Sequence, residues 1–90
     1  MDPDRIRVLL VQGRRNERVR LREMLSAHLD IEFEEVGDRN VAIDVARALR
    51  PDVVLLPLGD RVEEGFELLA AFRRTRFVSE IPVVLLVDHD

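Results

Sequence analysis

Few side chains in this chain could do chemistry. Carboxylates are the main candidates: Asp60, Glu63 and Glu64 fall close together, and Asp88 stands near the end of the sequence. An ionised carboxylate can attack a phosphoryl group or hold a hard cation through its oxygens. A second candidate is the run Gly13-Arg14-Arg15-Asn16, where backbone N–H groups opening a helix could bind an anion or nucleotide phosphate. It matches neither the G-x-G-x-x-G pattern nor a P-loop. The two histidines, His28 and His89, are too few and too far apart for a His-based metal site. There is no Cys, which excludes disulfides, a thiolate nucleophile and a zinc ribbon. All fourteen basic residues are Arg, so any step that needs a lysine is excluded as well. No cofactor and no metal is expected.

These groups must be positioned by elements that the hydrophobic pattern makes legible. Arg5 to Val11 leads into Val-Leu-Leu-Val, an apolar run that suits a strand buried on both faces. Asn16 can cap a helix over Glu17 to Leu29, where Val19, Leu21, Met24, Leu25, His28 and Leu29 recur largely at helical spacing and Arg18, Arg20 and Arg22 supply a polar face. Such an Arg-dense face is ordinarily solvated, although it could meet an acidic partner. Ile31 to Val36 alternates apolar residues with Glu32, Glu34 and Glu35, as an edge strand does. Gly37 to Asn40 is turn chemistry, and Val41 to Leu49 carries a helical stripe that stops before Pro51.

The second half repeats the alternation. Asp52 to Leu58 is continuously apolar after its first residue and reads as a central parallel strand. Gly59 to Gly65 reads as a charged loop, followed by a helix from Phe66 to about Arg74, and Ile81 to Val87 as a fourth strand with Pro82 near its start. The order β-α-β-α-β-α-β implies parallel strands joined by right-handed crossovers, hence a doubly wound α/β sheet. Phe33, Phe66 and Phe72 are expected in the core, and Phe77, within a polar segment, as an exposed anchor.

Ninety residues make one domain, 1–90, with 1–4 expected to be flexible. The formal charge of -4 argues against a nucleic-acid binder. The acidic, polar opening is neither a signal peptide nor a membrane span, so a cytoplasmic protein is expected.

In order and spacing, five local features resemble the receiver domain of two-component response regulators, a flavodoxin-like module with strand order 2-1-3-4-5. They are Val8-Leu-Leu-Val11, Gly37-Asp38, Arg50-Pro51-Asp52 with the Val-Val-Leu-Leu that follows, Gly65-Phe66-Glu67-Leu68-Leu69, and Ile81-Pro82-Val83-Val84. The resemblance covers nearly the whole chain but only about the first three quarters of a receiver. It implies an aspartate at the end of the third strand, an acidic pair after the first strand that holds magnesium, a hydroxyl after the fourth strand and a lysine after the fifth. These positions fall on Pro57, on Gln12 and Gly13, on Val87, and beyond Asp90. None can do the work required. The resemblance thus implies a pseudo-receiver acting without phosphate, as a protein-interaction or dimerisation module in bacterial-type signal transduction. Solvated loop acids are the ordinary reading of Asp60, Glu63, Glu64 and Asp88. The alternative function is a small-ligand or anion sensor using Gly13, Arg14, Arg15 and Asn16.

Only Asp88-His89-Asp90 follow the fourth strand, so the last strand and helices of a full receiver are missing. An apolar strand left at a sheet edge invites pairing. The expectation is either a fragment of a longer protein or an oligomer that buries this edge, with Phe77, Val83, Leu85 and Val87 as the interaction residues and a homodimer as one form.

Overall fold

The structure is a computed structural model that describes residues 5–11, 15–28 and 30–87. The segment 1–4, expected to be flexible, lies outside the described residues. Strands β1 (Ile6–Val11), β2 (Ile31–Val36), β3 (Val53–Pro57) and β4 (Val83–Leu86) alternate with helices α1 (Arg15–His28), α2 (Ala42–Leu49) and α3 (Val62–Arg74). A 3-10 turn, Arg39–Val41, leads into α2. All strand pairs are parallel and the sheet order is β2-β1-β3-β4. The doubly wound α/β sheet expected from the sequence is therefore present.

Strand alternation sends successive side chains of β1 to opposite faces, and both faces are covered. Leu9 and Val11 join Val54, Leu56, Ala42, Ala46, Leu68 and Phe72 in one core, under α2 and α3. Val8 and Leu10 join Ile31 and Leu55 in the other, against which Leu21 and Leu25 of α1 pack. Truncating a fully buried leucine such as Leu9 to Ala would cost about 2–5 kcal/mol. That is a large part of the stability of a small domain.

Polar side chains fix the amino-terminal edge of the sheet. The Arg7 backbone N–H donates to Asp52 Oδ2 at 2.8 Å, and its guanidinium donates to the Leu49 carbonyl at 2.6 Å, one of the unpaired acceptors at the end of α2. Arg7 also pairs with Glu32 at 3.3 Å. One residue thereby ties β1 to β2 and to the α2–β3 connection. Arg50 closes α2 in the left-handed region at φ 52°, and Pro51 stops the helix from continuing.

Several expectations need correction. Val19 and Met24, read as part of the apolar stripe of α1, are half exposed. Helix α1 begins at Arg15, so Asn16 is its second residue rather than the cap before it. Helix α3 begins at Val62, earlier than Phe66, and takes in Glu63, Glu64 and Gly65. Acidic residues in a first turn meet the positive end of the helix dipole, which is why a charged stretch that reads as loop is helical. With the helix in this phase, Gly65, Leu68 and Phe72 form the buried stripe, and Phe66, one position off it, is 51% exposed instead of inward. The Arg face of α1 is also not simply solvated: Arg18 and Arg22 reach Glu35 of β2 at 3.4 and 3.5 Å, and Arg22 lies 5.3 Å from the Phe33 ring centroid. Among the described residues, no helix is long and apolar enough to cross a membrane.

Gly65 is required by packing. A Cβ placed there would lie 2.1 Å from Cδ2 of Leu58, which is itself buried. Gly65→Ala is expected to gain about 1 kcal/mol in helix propensity and to lose about 1–3 kcal/mol to overpacking, a net destabilisation. Chemical denaturation of Gly65→Ala, Leu58→Ala and the double variant checks this. The double variant should lose less than the sum of the two single losses, because removing the Leu58 methyls makes room for the new one.

Candidate functional site

In an open α/β sheet the natural site lies beyond the carboxyl ends of the strands, where the winding reverses. Here that point lies between β1 and β3, since α1 leads from β1 to the β2 edge while β3 and β4 continue the other way. A hollow of about 290 Å³ opens there, lined by Pro57, Gly59, Asp60, Glu17, Arg39 and Arg61 among others.

Pro57 forms part of its floor as the last residue of β3, half-buried and in register with Leu86. A proline in a central strand removes a ladder donor, so its toleration needs a reason. The N–H groups of Val54 and Leu58 donate to Pro82, just before β4, and to Leu86 at its end. By alternation the nitrogen of Pro57 faces β1 instead, where a residue with an N–H would donate to Val11 and extend the β1–β3 ladder past Leu10↔Leu55. Its missing donor accounts for the ladder stopping there, one pair short of Val11 and Leu56, which the same register would bring opposite each other.

The rim is a mixture of charges. Arg39, from the turn after β2, forms an ion pair with Glu64 in the first turn of α3, and Arg61 approaches the same carboxylate at 3.7 Å. Asp38 caps the 3-10 turn by accepting from the Asn40 N–H at 2.8 Å, which fixes where Arg39 emerges. Glu17, Arg39 and Asp60 each have further partners. The rim is thus an internally compensated network, and Glu64 serves to hold α3 against the β2–α2 connection. Sequence reasoning missed the Arg39–Glu64 pair. Its partners stand 25 residues apart, and nothing in local spacing joins them.

Gln12, Gly13, Arg14 and Asp88 lie outside the described residues, as does His89. Arg15 and Asn16 open α1. Asp60 is exposed between β3 and α3, and Glu63 is exposed within α3. His28 is exposed in the last turn of α1. Among the described residues no group of three His, Asp or Glu side chains could hold a metal ion.

The proposed interaction residues separate. Val83 and Leu85 are half-buried against the α2/α3 core, whereas Val84, which the sequence did not single out, is 44% exposed on the opposite face. Val87, just past β4, is 65% exposed. Phe77 is 73% exposed in the turn between α3 and β4. Because β3 and β4 are parallel, that turn sits at the amino end of the sheet, away from the Pro57 hollow. Among the described residues, β4 has a neighbour on one side only.

No protein-family model matches the chain, and no curated protein matches it in sequence. Among solved structures it is similar to a signal receiver domain of a two-component signal-transduction histidine kinase from Clostridium thermocellum, at 21% identity and a TM-score of 0.77, over 93% of this chain and 69% of that one. The chain has a receiver-type fold.

Proposed function

We propose that this domain is a pseudo-receiver: a non-enzymatic interaction or dimerisation module of bacterial-type signal transduction, cytoplasmic, that works without phosphorylation. The observation that carries this reading is Pro57. It occupies the carboxyl end of β3, on the floor of the hollow at the switch point, where a receiver-type fold would present its nucleophilic carboxylate. Proline has neither a nucleophile nor a metal ligand in its side chain.

The other positions agree with it. In-line phosphoryl transfer depends on positioned carboxylates, a metal and a cation at the phosphate. Gln12 and Gly13 bring no charge to a magnesium ion, Val87 brings no hydroxyl, and the sequence contains no lysine. Of the nearby acids, Glu64 is shared by Arg39 and Arg61, and Glu63 is exposed on the first turn of α3. What the fold still offers is surface. The free side of β4, with Val84 and Val87 exposed beside it, suits a protein partner or a second copy of the chain.

Incubation with acetyl phosphate and magnesium is expected to leave no base-labile acyl phosphate, read by intact-protein mass spectrometry before and after mild alkali. Detection of that adduct would sink the proposal. Pro57→Asp restores a carboxylate at the end of β3 but no metal pair. It should therefore still label at background level, and robust labelling would show that Gln12 and Gly13 are not the obstacle.

A further inference from the structure

Phe77 combines features that normally exclude one another. It is the most exposed of the large apolar side chains, at 73%, and its backbone lies at φ 73° in the left-handed region, which is disfavoured for a bulky residue. Such a conformation persists only where the surroundings over-determine it. Here they do. Thr75 Oγ1 donates to the Ala71 carbonyl at 2.6 Å, and the Val78 N–H donates to the Thr75 carbonyl at 3.3 Å. Arg73 Nη1 donates to the carbonyls of Ser79 and Ile81 at 2.7 and 3.1 Å. Val78, the next residue, is fully buried and anchors the turn in the α2/α3 core. The ring of Phe77 takes no part in this framework.

Arginine predominates around it, with Glu80 the one acidic residue of the same turn. Arg74 ends α3 and Arg76 directly precedes Phe77, and neither forms an ion pair among the described residues; the Arg76 guanidinium lies 5.6 Å from the Phe77 ring centroid. This basic tip belongs to a chain of net charge -4. An exposed aromatic ring beside an arginine has the composition of an interface hot spot, and the backbone that carries it has little freedom to lose on binding because the turn is already tied down.

We infer that the α3–β4 turn is a docking point for an acidic protein segment that supplies carboxylates to Arg74 and Arg76 and an apolar socket to Phe77. The inference rests on the reading of this domain as an interaction module. It is independent of whether the Pro57 end can be phosphorylated, so an acyl phosphate at that end would leave it standing. A protein segment is favoured over an anionic membrane or nucleic acid because one ring and two arginines form a small footprint, while the net negative charge of the chain opposes approach to an extended polyanion. A second copy would have to present its own acidic residues, such as Glu63 and Glu67 at or near the other end of α3, in a head-to-tail contact that need not close.

The test is selection of random 12-residue displayed peptides on the intact protein, with counter-selection on Phe77→Gly. Selected peptides are expected to be rich in Asp, Glu and large apolar residues. They should bind Phe77→Gly and Arg74→Glu/Arg76→Glu at least tenfold more weakly than the parent, and weaken with added salt. Phe77→Gly should melt at an unchanged or higher temperature, because glycine accepts the left-handed conformation. Any of four results overturns the inference: no enrichment of acidic peptides; equal binding by parent and Phe77→Gly; a fall of more than about 4 °C in the melting temperature of Phe77→Gly, which would make the ring structural; or Phe77-dependent binding to phosphatidylglycerol vesicles or Phe77-dependent self-association in place of peptide binding.

Discussion

Parallel pairing of β1 and β3 in the middle of the sheet is the constraint from which most else follows. A strand covered on both faces must be apolar along its whole length, because a polar side chain there would be buried without water. Val8 to Val11 and Val54 to Leu56 obey this, and all are buried. Chemistry is thereby expelled from the body of the sheet to the strand ends. Among the described residues, the end of β3 is a place where the fold presents a backbone-fixed side chain at the switch point. One residue at that place consequently weighs more than several acids scattered in the connections. Pro57 is accommodated there because its nitrogen faces β1, where the ladder ends one pair early, while the bonds from β3 to the β4 side on either side of it are kept.

The same constraint explains what was legible in the sequence. Apolar runs marked all four strands to within a residue or two, and strand–helix alternation gave their parallel sense, because both signals are local and repeat within a few positions. The start of α3 was not legible, since Glu63 and Glu64 read as loop by polarity but are favoured in a first helical turn by the dipole. Gly65 read as the end of a charged loop, although its small size serves the buried Leu58 in a contact that no local pattern records. Phe66 followed from the same error of phase. At the site, Pro57 could be placed because a strand end is fixed by the run before it. Arg39 could not, because its partner Glu64 comes from another element.

Ion pairs in this chain do a job that apolar burial leaves undone, which is to fix the approach of elements at their polar margins. Arg18 and Arg22 hold α1 to Glu35 of β2, Arg7 joins β1 to Glu32 and to the end of α2, and Arg39 joins the β2–α2 connection to α3. Exposed pairs of this kind contribute at most about 1 kcal/mol each, so they do not make the fold stable. Their effect is on geometry. The guanidinium fork reaches a carboxylate and a backbone carbonyl together, as Arg7 does, which a lysine ammonium matches less directionally.

The two ends of the sheet carry different physical content. At the carboxyl end the charges compensate one another within the rim of the hollow, with Glu64 shared between Arg39 and Arg61. A compensated network has little differential affinity to offer a ligand, and without differential affinity there is no switch. At the amino end, Arg74 and Arg76 lack such compensation among the described residues, and the backbone of Phe77 is held in a disfavoured conformation by bonds its own ring does not make. Local strain of that kind is retained where something outside the fold benefits from it. A partner at the amino end would need no signal from the Pro57 hollow, so the proposed pseudo-receiver role is compatible with retention of a receiver-type scaffold.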